Sequence, residues 1–190
     1  MIDPILLRIA KTAILSRFDS AYVIDKEKLL LKKPFLKEKG AVFVTLNYVG
    51  KLRGCIGSIL PHQILIEDVI QNAQSAAFSD PRFQALNADE FDDLTLEVSL
   101  LTPPTLLEYS DYEDLKSKIR PYKDGLILKY GDYSGTFLPQ VWEQLPEPEQ
   151  FLEHLSYKAN ANPTIYKKHP DIFVYQVEAI KEDFNAILPI

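Results

Sequence analysis

The sequence predicts an α+β fold: a mainly antiparallel sheet built from hairpins, with flanking helices. Three observations lead there. β-rich segments come in pairs joined by short turns, "AVFVTLNY" with "LRGCIGSI" and "GLILKY" with "TFLP". Helical periodicity falls between those pairs instead of after every strand, which argues against a parallel βαβ sheet. "LTLEVSLL" alternates Leu94, Leu96, Val98 and Leu100 against Thr95, Glu97 and Ser99, as a strand with one buried face does.

The elements follow in order. Asp3 caps, Pro4 fits the first helical position, and Ile5, Ile9 and Ala13 with Leu6, Ala10 and Ile14 form the apolar stripe of an opening helix. A strand over 41–48 is turned by "VGK" into a second over 52–59. Pro61 and the apolar positions Ile64, Leu65, Val69, Ile70 and Ala73 predict a helix ending near the "SDPRF" turn at 79–83. The strand 94–101 is stopped by Pro103 and Pro104. A short helix at "SDYEDLKSKI", a strand over 125–130, a turn over 131–135 and a strand over 136–139 come next. "QVWEQL" and "PEQFLEHLSYKANA" read as helices, and 171–180 as a last strand.

A chain of 190 residues suits a single domain over 1–190, with room for a smaller lobe packed on the main sheet. It should bury roughly 70% of the surface its unfolded chain exposes. The apolar share of 46% and charged share of 25% are those of a globular protein. A net charge of −6 repels phosphate backbones, which argues against nucleic acid as a partner. Asp3, Arg8, Lys11 and Arg17 interrupt the opening segment, so neither a signal peptide nor a membrane span is expected, and the expected location is cytoplasmic. The lone cysteine forms no intramolecular disulfide and fits a reducing compartment. His62, His154 and His169 are scattered, with no metal-ligand spacing, and there is no glycine-rich phosphate loop, nucleophile elbow or dinucleotide fingerprint. No metal or cofactor is expected.

The candidate chemistry centres on "KLRGCIGSIL". Regular alternation would put Leu52, Gly54 and Ile56 on one face, with Leu52 and Ile56 toward the core, and Arg53, Cys55 and Gly57 on the other. Glycines inside a strand mark a bulge, a bend, or close approach by another backbone or a ligand. Cys55 is therefore either a reagent beside a cation or a small buried hydrophobe.

"FVTL", "LRGCIG", "DPRF", "LEVSLLTP", "GTFLPQVWEQ" and "FLEHLSYKAN" occur in that order across residues 43–160. This ordered set resembles the AMMECR domain family, whose short prokaryotic members are called AmmeMemoRadiSam system protein A. The resemblance implies an α+β fold in two unequal lobes around a cleft, and an association with Memo-like and radical-SAM proteins. It carries family motif positions onto Arg53, Gly54, Cys55, Gly57, Asp80, Arg82, Phe83, Ser99, Thr136, Leu138, Pro139 and Lys158. Where relatives commonly read lysine-alanine-glycine this chain has "KAN", and Asn160 can still take the left-handed conformation that ends a helix.

On that basis Arg53, Arg82 and Lys158 are expected to converge on one anion-attracting cleft, with Asp80 either pairing Arg82 or capping backbone amides to make the "DPRF" turn structural. Glu97 and Ser99 either join a cleft wall or face solvent. Two functions fit: a protein that binds a ligand or a Memo-like partner through a cleft containing Cys55, or a small-molecule enzyme using Cys55 as nucleophile in acyl transfer or hydrolysis, for which the sequence names no base. Gly54, Gly57, Ser99 and Thr136 enter as ligand-binding candidates through the resemblance alone.

Overall fold

A computed structural model describes residues 2–190 and divides the chain into two compact units, 1–101 with 178–190, and 102–177. In the first unit, helix α1 (Ile5–Leu15) begins just after Pro4, and the Asp3 carboxylate accepts the Ile5 amide at 2.9 Å. Its apolar stripe is fully buried, as the spacing predicts. A short helix α2 (Lys26–Lys32), capped by Asp25, leads to strands β1 (Lys39–Tyr48) and β2 (Lys51–Gly57), turned at Val49 and Gly50 with positive φ. The two-residue strand β3 (Gln63–Ile64) precedes helix α3 (Leu65–Phe78), and β4 (Leu94–Leu101) completes this run.

The chain then forms the second unit: β5 (Thr105–Leu106), α4 (Tyr112–Lys118), β6 (Gly125–Tyr130), β7 (Tyr133–Phe137), α5 (Pro148–Lys158) and β8 (Asp171–Tyr175). It returns to the first as β9 (Val177–Asp183). Strand order is β2-β1-β4-β9 in one sheet, with β3 beside β1, and β5-β8-β6-β7 in the other. The pairings resolved residue by residue are antiparallel. No helix among the described residues is long and apolar enough to cross a membrane.

Alternation places Val42, Val44 and Leu46 of β1 and Leu94, Leu96 and Val98 of β4 in the first core, against α1 and the Leu65, Ile66, Val69, Ala73, Ala76 and Ala77 face of α3. α3 is also tied by polar bonds. The buried Asp68 accepts from the Val42 amide, Ser58, Gln63 and Asn72, so its carboxylate is satisfied by four donors. The second unit has its own core, in which Trp142 stacks on Phe151 at 3.7 Å and donates its indole N–H to the Asp124 carbonyl.

Three sequence expectations change. "QVWEQL" is a 3₁₀ turn, Pro139–Glu143, not a helix. The second hairpin turns at Gly131 and Asp132, so β7 already begins at Tyr133. The apolar run at 171–180 is two strands divided at Gln176, and they enter different sheets. Periodicity continues smoothly through such a break, because each half is amphipathic on its own sheet.

Candidate functional site

β2 is an edge strand, and it is not regular. Leu46 pairs with Gly54 but Asn47 pairs with Leu52, so Arg53 is the extra residue of a β-bulge. The bulge reverses the side on which Leu52 emerges: it lies 43% exposed, opposite Asn47, away from the core that Ile56 packs against. The expectation that Leu52 shares a face with Gly54 and Ile56 fails for this reason, since one inserted residue shifts a period of two by a full face.

Three cross-strand rows result on the face opposite the helices: Leu52–Asn47–Thr95, Cys55–Thr45–Glu97 and Gly57–Phe43–Ser99. Apart from the exposed Leu52, every one of these residues is half-buried, so Glu97 and Ser99 stand neither in the core nor in open solvent. The Thr45 hydroxyl donates to Cys55 Sγ at 3.2 Å, and Ser99 Oγ donates to Glu97 Oε1 at 3.3 Å. The Thr95 Oγ1 atom is buried and has no hydrogen-bond partner.

The "DPRF" turn holds Cys55 from the sheet edge. The Cys55 N–H donates to Asp80 Oδ2 at 2.9 Å, and Arg82 Nη2 donates to the Cys55 carbonyl at 3.2 Å. Both backbone groups point outward because Cys55 and Thr45 form a non-hydrogen-bonded pair, the kind that also brings side chains closest. The hydroxyl therefore reaches the sulfur. Asp80 and Arg82 pair at 2.8 Å, and Asp80 also accepts the Arg82 amide and Nε. The Arg82 hydrogen bond, helped by the two amides and opposed by burial, holds the Asp80 carboxyl far below the usual carboxylate range, and the same bond raises Arg82. Of the two readings for Asp80, the structure shows both at once: it pairs with Arg82 and caps the Cys55 and Arg82 amides.

Arg53 does something the spacing does not reveal. Its Nε and Nη2 grip both oxygens of Glu90 at 2.6 and 3.0 Å, while Nη1 and Nη2 reach the Gln84 and Ala85 carbonyls. With its side chain 15% exposed, this fork is a tie between β2 and the loop before β4, and four of its five N–H donors are engaged in it. The exposed guanidinium beside Cys55 is that of Arg82, 54% exposed.

The glycines earn their positions by contact. A Cβ on Gly54 would lie 2.1 Å from the Ala76 carbonyl oxygen of α3, and one on Gly57 would lie 2.3 Å from the Phe43 ring. Thr136 and Lys158 belong to the second unit. Thr136 Oγ1 donates to the Leu126 carbonyl at 2.9 Å and lies 3.3 Å from the Tyr175 hydroxyl, whose pKa burial pushes up to about 12. Lys158 is exposed in the last turn of α5, where a cation complements the helix dipole. Gly135 packs its bare backbone on that turn, since a Cβ there would meet Ala159 N at 2.7 Å.

Sequence reasoning missed Thr45 as the sulfur's partner and Glu90 as the partner of Arg53. Thr45 is a polar residue inside an apolar strand, a signal that it faces away from the core, but its register with Cys55 across the bulge is not written locally. Among the described residues no group of three His, Cys, Asp or Glu side chains is placed to hold a metal.

Comparison with known proteins agrees with this architecture. The chain is 40% identical over 184 residues to a protein of Thermococcus gammatolerans, covering 92% of this chain and 86% of that one. It is 38% identical over 162 residues to protein MJ0810 of Methanocaldococcus jannaschii, covering 83% and 80%. The crystal structure of the uncharacterized protein PH0010 from Pyrococcus horikoshii superposes with a TM-score of 0.78 at 36% identity, covering 94% of this chain and 90% of that one. The AMMECR1 family model matches residues 7–180, and the chain belongs to that family.

Proposed function

We propose that the half-buried polar face of the first sheet binds a small ligand or a partner segment in contact with Cys55, and that the protein acts with Memo-like and radical-SAM proteins, as the family resemblance implies. One observation carries the ligand reading: Cys55 is half-buried, with its Sγ 3.2 Å from the Thr45 hydroxyl, on a backbone clamped at the edge by Asp80 and Arg82. A purely structural cysteine would be packed among apolar side chains. This one heads a row of polar groups. The orphan hydroxyl of Thr95 on the same face supports the reading, because buried polar atoms ordinarily have partners.

A second reading, Cys55 as a nucleophile, is favoured by the same row. A hydroxyl donating to sulfur binds a sulfur anion more strongly than a thiol. One strand further along the row stands the Glu97 carboxylate, which this second reading takes as its candidate base, acting across the row through a bridging water.

The test is alkylation and ligand retention together. Iodoacetamide should modify Cys55 in the folded protein at a rate within about tenfold of a free thiol. Native mass spectrometry of protein purified from its host should show a bound small molecule that Cys55→Ser and Glu97→Gln variants lose while remaining folded. Labelling that waits for unfolding, with no difference in bound mass between parent and variants, overturns the proposal.

A further inference from the structure

The second unit contains a concavity of about 200 Å³ lined by Tyr133, Asn160, Ala161, Asn162, Thr164, Ile165 and Lys168. It lies where α5 ends and a 3₁₀ turn, Pro163–Lys168, begins. Its chemistry is unusual for a protein of net charge −6, because no carboxylate lines it. Among the described residues Lys168 has no ion-pair partner, and its ammonium sits 5.7 Å from the Tyr130 ring centroid. Asn162 uses its carbonyl oxygen to accept from Thr164, which leaves its NH₂ group for another acceptor. Asn160 is held in the left-handed conformation at φ 61° and has an exposed side chain. Tyr133 is 43% exposed and presents both a ring and a hydroxyl.

These groups are donors of one kind: an ammonium, two carboxamide NH₂ groups and a phenol. Their multiplicity suits a terminal phosphoryl group, which offers three strongly accepting oxygens, better than a two-oxygen carboxylate. The volume corresponds to about seven waters at roughly 30 Å³ each, room for a phosphoryl group and a few further atoms. We propose that this concavity binds the phosphoryl group of a small phosphate monoester, with Lys168 supplying charge, Asn160 and Asn162 supplying directed donors, and Tyr133 flanking the ester. The site belongs to the second unit and is independent of Cys55.

Asn160 makes the test clean. Glycine adopts positive φ without strain, so Asn160→Gly preserves the turn and removes only the carboxamide. Inorganic phosphate and phenyl phosphate are titrated into the full chain at constant ionic strength, with acetate as comparator, while the side-chain amide and tyrosine signals are followed by NMR. The expected result is saturable shifts of the Asn160, Asn162 and Tyr133 signals with a Kd on the order of 1 mM for phosphate and tighter for the monoester. Acetate should bind several-fold more weakly. Lys168→Gln should weaken phosphate binding about tenfold, and Asn160→Gly should weaken it several-fold with melting temperature unchanged or raised. Shifts that stay linear with concentration, acetate equal to phosphate, or variants that bind like the parent would each overturn the assignment.

Discussion

Replacing Gly54 by alanine is the smallest change with the largest expected consequence. The added Cβ would stand 2.1 Å from the carbonyl oxygen of Ala76 and 3.1 Å from its carbonyl carbon, against 3.4 Å or more for an ordinary contact. More than an ångström must be found. The obstacle is backbone in the last turn of α3, so no side-chain rotation relieves it. Either α3 withdraws from the sheet, loosening Val69, Ala73, Ala76 and Ala77, or β2 moves outward and pulls Cys55 from its clamp. Overpacking that flexible side chains absorb costs about 1–3 kcal/mol. A clash with backbone belongs at the top of that range, about 3 kcal/mol, which for a domain of this size lowers the melting temperature by about 6–12 °C. Thermal and urea melts followed by circular dichroism measure it. Amide exchange should also show faster opening at Cys55, whose N–H leaves Asp80 if β2 is displaced. A Gly54→Ala protein melting within about 1 °C of the parent would refute the packing argument.

The remaining expectations concern the groups around Gly54. Gly57→Val drives two methyls into the Phe43 ring, so it should lower stability by about 2 kcal/mol or prevent folding, which urea titration will show. Asp80→Asn should cost about 1–3 kcal/mol at neutral pH, toward the low end because Arg82 is half exposed. Asp80 has a lowered pKa in the folded state, so its contribution is complete above about 4, its unfolded value, and is lost as pH falls through the folded one. Acid titration of stability should therefore be shallower for the asparagine variant than for the parent below pH about 4. Arg53→Lys, which cannot hold both oxygens of Glu90, should cost about 1–2 kcal/mol in a thermal melt while leaving Cys55 alkylation unchanged. Thr45→Val removes the hydroxyl at nearly constant shape and should slow native alkylation of Cys55 several-fold at neutral pH. An unchanged rate would remove Thr45 from the site.

Much of this protein is legible in its residues because the information is local. The stripe of α1, the alternation of β4 and the presence of a reversal between each pair of strands, though not its length in the second hairpin, each express a period or a turn chemistry that a short window contains. The α+β class follows from the order of those windows, and the motif "LRGCIG" marks the strand on which the candidate site is built.

What the residues do to one another was decided by pairing across distance. The bulge at Arg53 comes from the match of β2 to β1, and it turns Leu52 outward and sends Arg53 to Glu90, 37 positions along the chain. The row Cys55–Thr45–Glu97 exists only when three strands from separate parts of the sequence adopt one register. Asp80 and Arg82 read locally as a turn, and become a clamp because β2 lies at the sheet edge with the Cys55 amide and carbonyl facing outward. The run at 171–180 divides between two sheets for the same kind of reason: each half finds a different partner strand. Hydrophobic period states which side of an element is buried, but register and edge position arise from closing long loops onto particular partners, and no short window encodes that choice.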